Sequence, residues 1–359
     1  VHRVAATGAT RKGALVAATA IGLHPGLVLY TPALMTEGAT ASLLAIAAWL
    51  AVRASASTSS RTTRWTTVAG LAFVLGVATL VRPQSLLLAP VYGALAPGGV
   101  KARARVLLSA LVTAGAITVC LPWTLRNCSR MHSCALVSVN AGWNLFIGAA
   151  PGATGAWVPL EKLGVPFACR TVWDEAAKDA CFLRAGLGAI AEAPGRWARL
   201  VPRKLAETFD YAGAAGFYLH SSNPRAFGER DKLALGVLET VWERLVVILG
   251  LLAAARAPGP RPRARRAIAA LSAVWLMVRS AWVAHLGLVV AAGMFGRRLE
   301  VRPALALAAG TVLMTALTHA LFFGAGRYSL VCFPALAALA GTALTGEERL
   351  GDTDVSKES

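Results

Sequence analysis

Charge is scarce in this chain, and acidic charge most of all. Asp and Glu number 18 against 36 Lys and Arg in 359 residues, and charged residues are 15% of the whole. A soluble protein of this length needs far more polar surface, so that class is excluded. The motifs of common soluble enzymes are missing too. There is no P-loop, no G-x-G-x-x-G after a strand, no H-E-x-x-H and no nucleophile elbow. A D-x-D triplet at Asp352–Asp354 stands in a polar tail and carries little meaning.

What the chain has instead is apolar length: 56% of residues are hydrophobic and the mean hydropathy is +0.57. Runs of about 17 to 22 apolar residues recur, matching the roughly 20 needed to cross a bilayer. In lipid every backbone polar group must be paired internally, so such runs read as helices. The fold class expected is all-α, a polytopic membrane protein. Spans are expected at 13–34, 38–52, 66–81, 84–97, 106–123, 234–255, 303–323 and 329–345. Residues 267–296 admit two readings, a tight hairpin of two short helices or one long tilted helix. The first run is too long for a cleavable signal peptide and lacks its small-residue cleavage site.

The formal net charge of +18 would suggest nucleic acid in a soluble protein, but its placement points elsewhere. Arg53, Arg61 and Arg64, then Lys101, Arg103 and Arg105, then "RAPGPRPRARR" (Arg256–Arg266) all sit in short loops. Such clusters mark the cytoplasmic face, so no nucleic-acid partner is expected. With those loops inside, four divisions follow: N-terminal spans over 1–124, an extracytoplasmic segment over 125–232, C-terminal spans over 233–346, and a disordered cytoplasmic tail over 347–359. Four of six cysteines, Cys128, Cys134, Cys169 and Cys181, fall in the outer segment. An even count in an oxidising compartment suggests disulfides, most simply Cys128–Cys134 and Cys169–Cys181. No metal site is expected, because neither pair has zinc spacing, and no cofactor is indicated.

This topology also places the chemically interesting span ends on one side: Glu37, Arg82, Trp123, Arg126, Asn127, His319, Arg327 and Tyr328. Glu37 closes "YTPALMTEG", where a carboxylate near lipid is expensive and often functional; the plainer reading is an interfacial acid after a Thr36 cap. Arg82 in "LVRPQ" either snorkels to headgroups or binds a lipid phosphate. Arg126 in "PWTLRN" offers a planar fork of donors to phosphate. Downstream, Asn140, Trp143 and Asn144 in "VSVNAGWNLFIGAAPGATGAW" suit either a sugar-binding surface or a structural loop. His319, Arg327 and Tyr328, in "THALFFGAGRYSLVCFP", either hold a phosphate leaving group or anchor to lipid.

Several of these stretches together resemble the GT-C glycosyltransferases, in particular the dolichyl-phosphate-mannose-protein mannosyltransferase and aminoarabinose transferase-like group. "LVLYTPALMTEGATASLLAIAAWL" looks like the family's third and fourth helices, and "GLAFVLGVATLVRPQSLLLAPV" resembles the next hairpin. "LPWTLRN" with the following Asn- and Gly-rich stretch looks like the start of the large outer loop, and "HALFFGAGRYSLVCFPALAALAG" is similar to the closing helices. The resemblance implies transfer of a sugar from a polyprenyl-phosphate carrier to a lipid, glycan or protein acceptor on the extracytoplasmic face. Arg327, with Arg126 or Arg82, would bind the donor phosphate, assisted by Tyr328. Asn140, Trp143, Asn144 and His319 would contact sugar or acceptor, and Glu37 would line the pocket. The family's catalytic carboxylate lies in its first outer loop, which has no counterpart here, and Glu37 matches a different position. The chain is therefore expected to be either a truncated enzyme or a non-catalytic binder of lipid-linked sugar. A multi-pass transporter or flippase is the remaining alternative. It would need polar residues buried within spans, of which His24, Arg279 and His285 are the only hints, and no internal repeat supports it.

Overall fold

A computed structural model describes residues 1–6, 8–32, 35–55, 60–95, 102–210, 212–278, 280–296, 299 and 302–344. Among these the chain is all-α, with no strand and a single isolated bridge between Ala156 and Gly324. Six helical segments are long and apolar enough to cross a membrane: Arg11–Tyr30, Thr36–Ser55, Thr62–Val81, Ala102–Arg130, Pro303–Leu321 and Gly326–Leu344. This is a polytopic membrane protein. Arg279 and the tail over 347–359 lie outside the described residues.

The N-terminal helices are α1 (His2–Ala5), α2 (Arg11–Gly22), α3 (Pro25–Tyr30), α4 (Thr36–Ser55) and α5 (Arg61–Val81). The run read from sequence as one span over 13–34 is broken at His24. There Pro25 stands at the first helical position and the His24 ring caps α3 by accepting the Leu27 N–H at 3.4 Å. After α5 the chain forms a 3₁₀ segment, Pro83–Leu88, and then a short α6 (Ala89–Leu95). The span expected over 84–97 is thus a composite, because Pro83 restarts the chain after an extended Arg82. Next comes α7 (Ala102–Arg130), which carries Pro122 in its interior.

A segment of shorter helices follows: α8 (Ala141–Ala149), α9 (Phe167–Arg170), α10 (Glu175–Glu192), α11 (Pro194–Phe209) and α12 (Ala214–Ser222). Cys128 is bonded to Cys134 and Cys169 to Cys181. Beside the first disulfide, Asn127 Nδ2 donates to the carbonyls of Ala135 and Val137, fastening the descending chain to the end of α7. Asp179 of α10 accepts the Gly142 and Trp143 N–H groups, satisfying the first turn of α8. Phe146, Ile147, Leu163 and Phe182 form a small core that also takes in Phe323 and Tyr328. The segment therefore sits on the Gly-rich loop at the end of the bundle.

The C-terminal helices are α13 (Glu229–Arg256), α14 (Pro262–Val278), α15 (Ala281–Gly293), α16 (Pro303–Leu321) and, after a 3₁₀ stretch Gly326–Cys332, α17 (Phe333–Gly341). Residues 267–296 fall in the two packed helices α14 and α15 rather than one long helix. The break has a tertiary cause, since Asp210 at the end of α11 accepts the Trp282 N–H at 2.8 Å and so caps α15. The main core is built largely of alanine and leucine. Small residues let membrane helices approach closely: a Cβ on Gly13 would stand 2.4 Å from the Gly341 carbonyl, where α2 meets α17. The basic linker is not wholly solvated. Arg265 is buried and its guanidinium donates to the Ala254 carbonyl at 2.6 Å and to Pro260 at 2.9 Å, closing the end of α13.

Candidate functional site

Glu37 lies in the first turn of α4, where the helix dipole favours an anion. Arg82 caps the neighbouring end of α5 in extended conformation, and its backbone N–H still bonds the Ala78 carbonyl. The side chain is thereby directed across to Glu37. Arg82 Nη1 donates to Glu37 Oε1 at 3.0 Å, and Arg327 Nε stands 3.5 Å from the same oxygen, an ion-pair contact. One carboxylate, 1% exposed, so holds two guanidinium groups whose own side chains are 10% and 28% exposed. Its other oxygen has no hydrogen-bond partner. The local sum is one negative against two positive charges, so the site favours an anion.

Aromatic rings build the walls. His319 stacks on Tyr328 with centroids 4.2 Å apart, and its Nδ1 bonds the Phe323 carbonyl at 2.9 Å. Since a carbonyl only accepts, the ring proton lies on Nδ1 and the buried Nε2 is left as an unpartnered acceptor. Arg82 lies over the Tyr328 ring at 5.1 Å and Arg327 over Tyr218 at 5.6 Å. Tyr30 at the end of α3 stands 6.1 Å from Tyr218 and keeps a buried, unpartnered hydroxyl.

The loop carrying Arg327 and Tyr328 is held from the short-helix segment. Lys204 of α11, fully buried, donates through Nζ to the Ala320 and Leu321 carbonyls at 3.2 Å, supplying the partners that the last turn of α16 lacks. Burial pushes its ammonium down to about 8. The Gly324 N–H bonds the Gly155 carbonyl at 2.8 Å, and a Cβ at Gly324 would stand 2.1 Å from the Lys204 carbonyl. Only glycine fits that approach.

Glu37, Arg82, His319, Arg327 and Tyr328 are thus brought into one cluster from three separate stretches. The remaining candidates engage other partners. Arg126 lies over Trp123 at 4.8 Å and donates to Asn127. Asn140 accepts from Ser138, and Asn144 is half-buried on α8. Trp143 packs edge-on against Phe182 at 4.9 Å.

Sequence reading missed Tyr30, Tyr218 and Lys204. Tyr30 lies within the quoted "LYTP" stretch, whereas nothing local marks Tyr218 or Lys204 as members. It also missed two acids in the expected span over 234–255, Glu239 and Glu243, both buried. His24, Arg279 and His285 are therefore not the only polar residues within apolar runs, and the i, i+4 spacing of the two acids was the available signal. No protein-family model, no curated protein and no solved structure matches this chain.

Proposed function

We propose that this chain is an integral-membrane glycosyltransferase component. It would act at the extracytoplasmic face on a sugar carried by a polyprenyl phosphate, destined for a lipid, glycan or protein acceptor. The observation that supports this most is the pairing of Arg82 and Arg327 across one buried carboxylate at the ends of apolar helices. A guanidinium fork matches two phosphate oxygens, and helix ends stand at the depth where a lipid phosphate lies. Tyr328, Tyr218 and the His319 acceptor are suited to a sugar ring and its hydroxyls. In transfer, the bond from the anomeric carbon to the phosphate oxygen breaks as the acceptor oxygen attacks, and charge grows on the phosphate. Fixed cations facing that charge lower the barrier. Glu37 is committed to the two arginines, so its role is to position them, and the base that takes the acceptor proton is left unassigned.

The test is binding of a polyprenyl phosphate to the full chain in nanodiscs, read by native mass spectrometry. Arg327→Ala should weaken binding roughly 10- to 100-fold, the worth of a charge-assisted contact. Unchanged binding in both Arg327→Ala and Arg82→Ala would sink the reading.

A second reading, translocation of a lipid-linked or small solute, draws on the break at His24 and the buried Glu239 and Glu243. Liposome uptake or lipid scrambling by the purified chain, with no glycosylated product, would favour it.

A further inference from the structure

A second polar cluster lies in the helical core, where α3 packs on α13. Glu239 and Glu243 are one turn apart on α13, so their side chains share a face. Glu239 occupies a slot between two glycines. Gly213, with φ +94°, donates its N–H to Oε2 at 2.7 Å. On the opposite side a Cβ on Gly26 would stand 2.2 Å from Oε1. A larger residue at Gly26 would displace the carboxylate, and at Gly213 a side chain would have to adopt the left-handed φ and would stand 3.0 Å from the Gly236 Cα.

His24 addresses Glu243. Its ring is 0% exposed, and Nδ1 already accepts the Leu27 N–H. The ring proton is therefore on Nε2, which lies 3.8 Å from Glu243 Oε1 and has no hydrogen-bond partner. On the far side of Glu243 is a cavity of about 10 Å³, bordered by Asp210, Arg244 and His285, the size of a single water. The His285 Nδ1 bonds the Ala281 carbonyl, and its buried Nε2 is likewise unpartnered.

The charged and titratable groups facing the two acids are few. From α3 and its cap come His24 and Tyr30; from α11, Asp210; from α13 itself, Arg244, whose charge acts on Asp210. His285 comes from α15 and Cys332 from the 3₁₀ stretch before α17. Among the described residues neither Glu239 nor Glu243 pairs with Lys or Arg. No group of three His, Cys, Asp or Glu side chains is placed to hold a metal ion among them either. Two adjacent carboxylates in such surroundings cannot both ionise, because desolvation and mutual repulsion act in the same direction.

We propose that Glu239 and Glu243 form a proton-binding site in the helical core, which holds one proton at neutral pH with the His24 N–H turned toward it. The two carboxyls titrate as a pair rather than as separate groups. The site has a mechanical connection to the Glu37 cluster. The six-residue α3 is capped by His24, meets Glu239 at Gly26 and ends at Tyr30, whose ring stands 6.1 Å from Tyr218, the ring over which Arg327 of the Glu37 cluster lies. Gain or loss of the proton acts on the seating of α3 against α13, and so on the wall behind Glu37. The assignment stands apart from the transferase reading and needs no donor substrate.

Infrared spectroscopy of the full chain in nanodiscs tests it. The wild type should show a protonated-carboxyl C=O band at neutral pH that shifts in D₂O and fades on alkaline titration. The band should be absent from Glu239→Gln/Glu243→Gln, in which amides replace the acids at nearly constant shape. Absence of the band in the wild type, or its survival in the double variant, would overturn the proposal. So would loss of the band on adding sodium but not choline, which would make the site a metal-cation site. Unfolding in mixed micelles supplies a readout independent of the variants' yield. The folded chain binds the extra proton between the ordinary Glu range, about 4.3, and the pair's own titration. Across that window the folding equilibrium constant should fall with rising pH by up to about tenfold per unit. A flat wild-type profile would also count against the site.

Discussion

Two buried acidic sites, Glu37 on α4 and the Glu239–Glu243 pair on α13, meet opposite fates. Glu37 is enclosed by Arg82 and Arg327, and its charge is compensated by two guanidinium groups. Glu239 lies against Gly26 and Gly213 and Glu243 against the His24 imidazole, and among the described residues neither acid pairs with Lys or Arg. The same residue type is thus an ion-pair anchor in one place and a proton holder in the other. Neighbours decide, because taking a carboxylate out of water costs several kcal/mol unless a cation or a proton replaces the lost solvation.

The contrast is broken most severely by removing the anchor. Glu37→Ala leaves two guanidinium groups facing each other, and unfolding in detergent–SDS mixed micelles should show a loss of about 3–5 kcal/mol. Glu243→Gln removes an uncompensated acid and should change stability by far less. If the two variants cost the same, the distinction between the clusters fails.

Gly26→Ala attacks the second cluster through shape. Its methyl group enters the Glu239 carboxylate, and overpacking of this kind costs about 1–3 kcal/mol. Adding Glu239→Ala should recover part of that loss, and a double-mutant cycle measures the coupling. Additive effects would place the strain elsewhere.

Lys204 sharpens the comparison from the cationic side, being buried with carbonyls rather than a carboxylate. With its ammonium pushed down to about 8, the folded chain binds fewer protons than the unfolded one between that value and the ordinary lysine range near 10.4. Stability should therefore rise with pH across that window. Measured against Lys204→Met, which lacks the titration, the wild type should gain on the order of 1–3 kcal/mol from pH 8 to 10. A pH-independent difference would mean the ammonium is not desolvated.

Arg126→Ala should have the smallest effect. Its contacts are Trp123 and Asn127, and an exposed cation–π pair contributes about 0.5–1 kcal/mol. Polyprenyl phosphate binding should suffer less than in Arg327→Ala. An equal loss would extend the phosphate site to the end of α7.

Much of the site was legible because it lies where apolar runs stop. A charged residue at such a boundary stands out, which is how Glu37, Arg82 and Arg327 were found. Their mutual contacts were not legible, being set by the extended turn at Arg82 and by the hold of Lys204 and Gly155 on the loop before Arg327. Tyr218 was hidden because it reaches the cluster from a helix that looks like an ordinary part of the polar segment. The inward fold of Arg265 was hidden for the opposite reason, since it stands in a run of basic residues that all look solvated.

What the sequence determined by itself was the solvent. Scarce charge, recurrent apolar runs and basic loops require a helical membrane protein, because lipid pairs with no backbone group and expels charge to the ends of spans. Only the tertiary structure decided which of the few charged groups compensate one another. That depends on separations of a few ångströms between residues as far apart in the chain as Glu37 and Arg327, and no periodicity in a sequence encodes such distances.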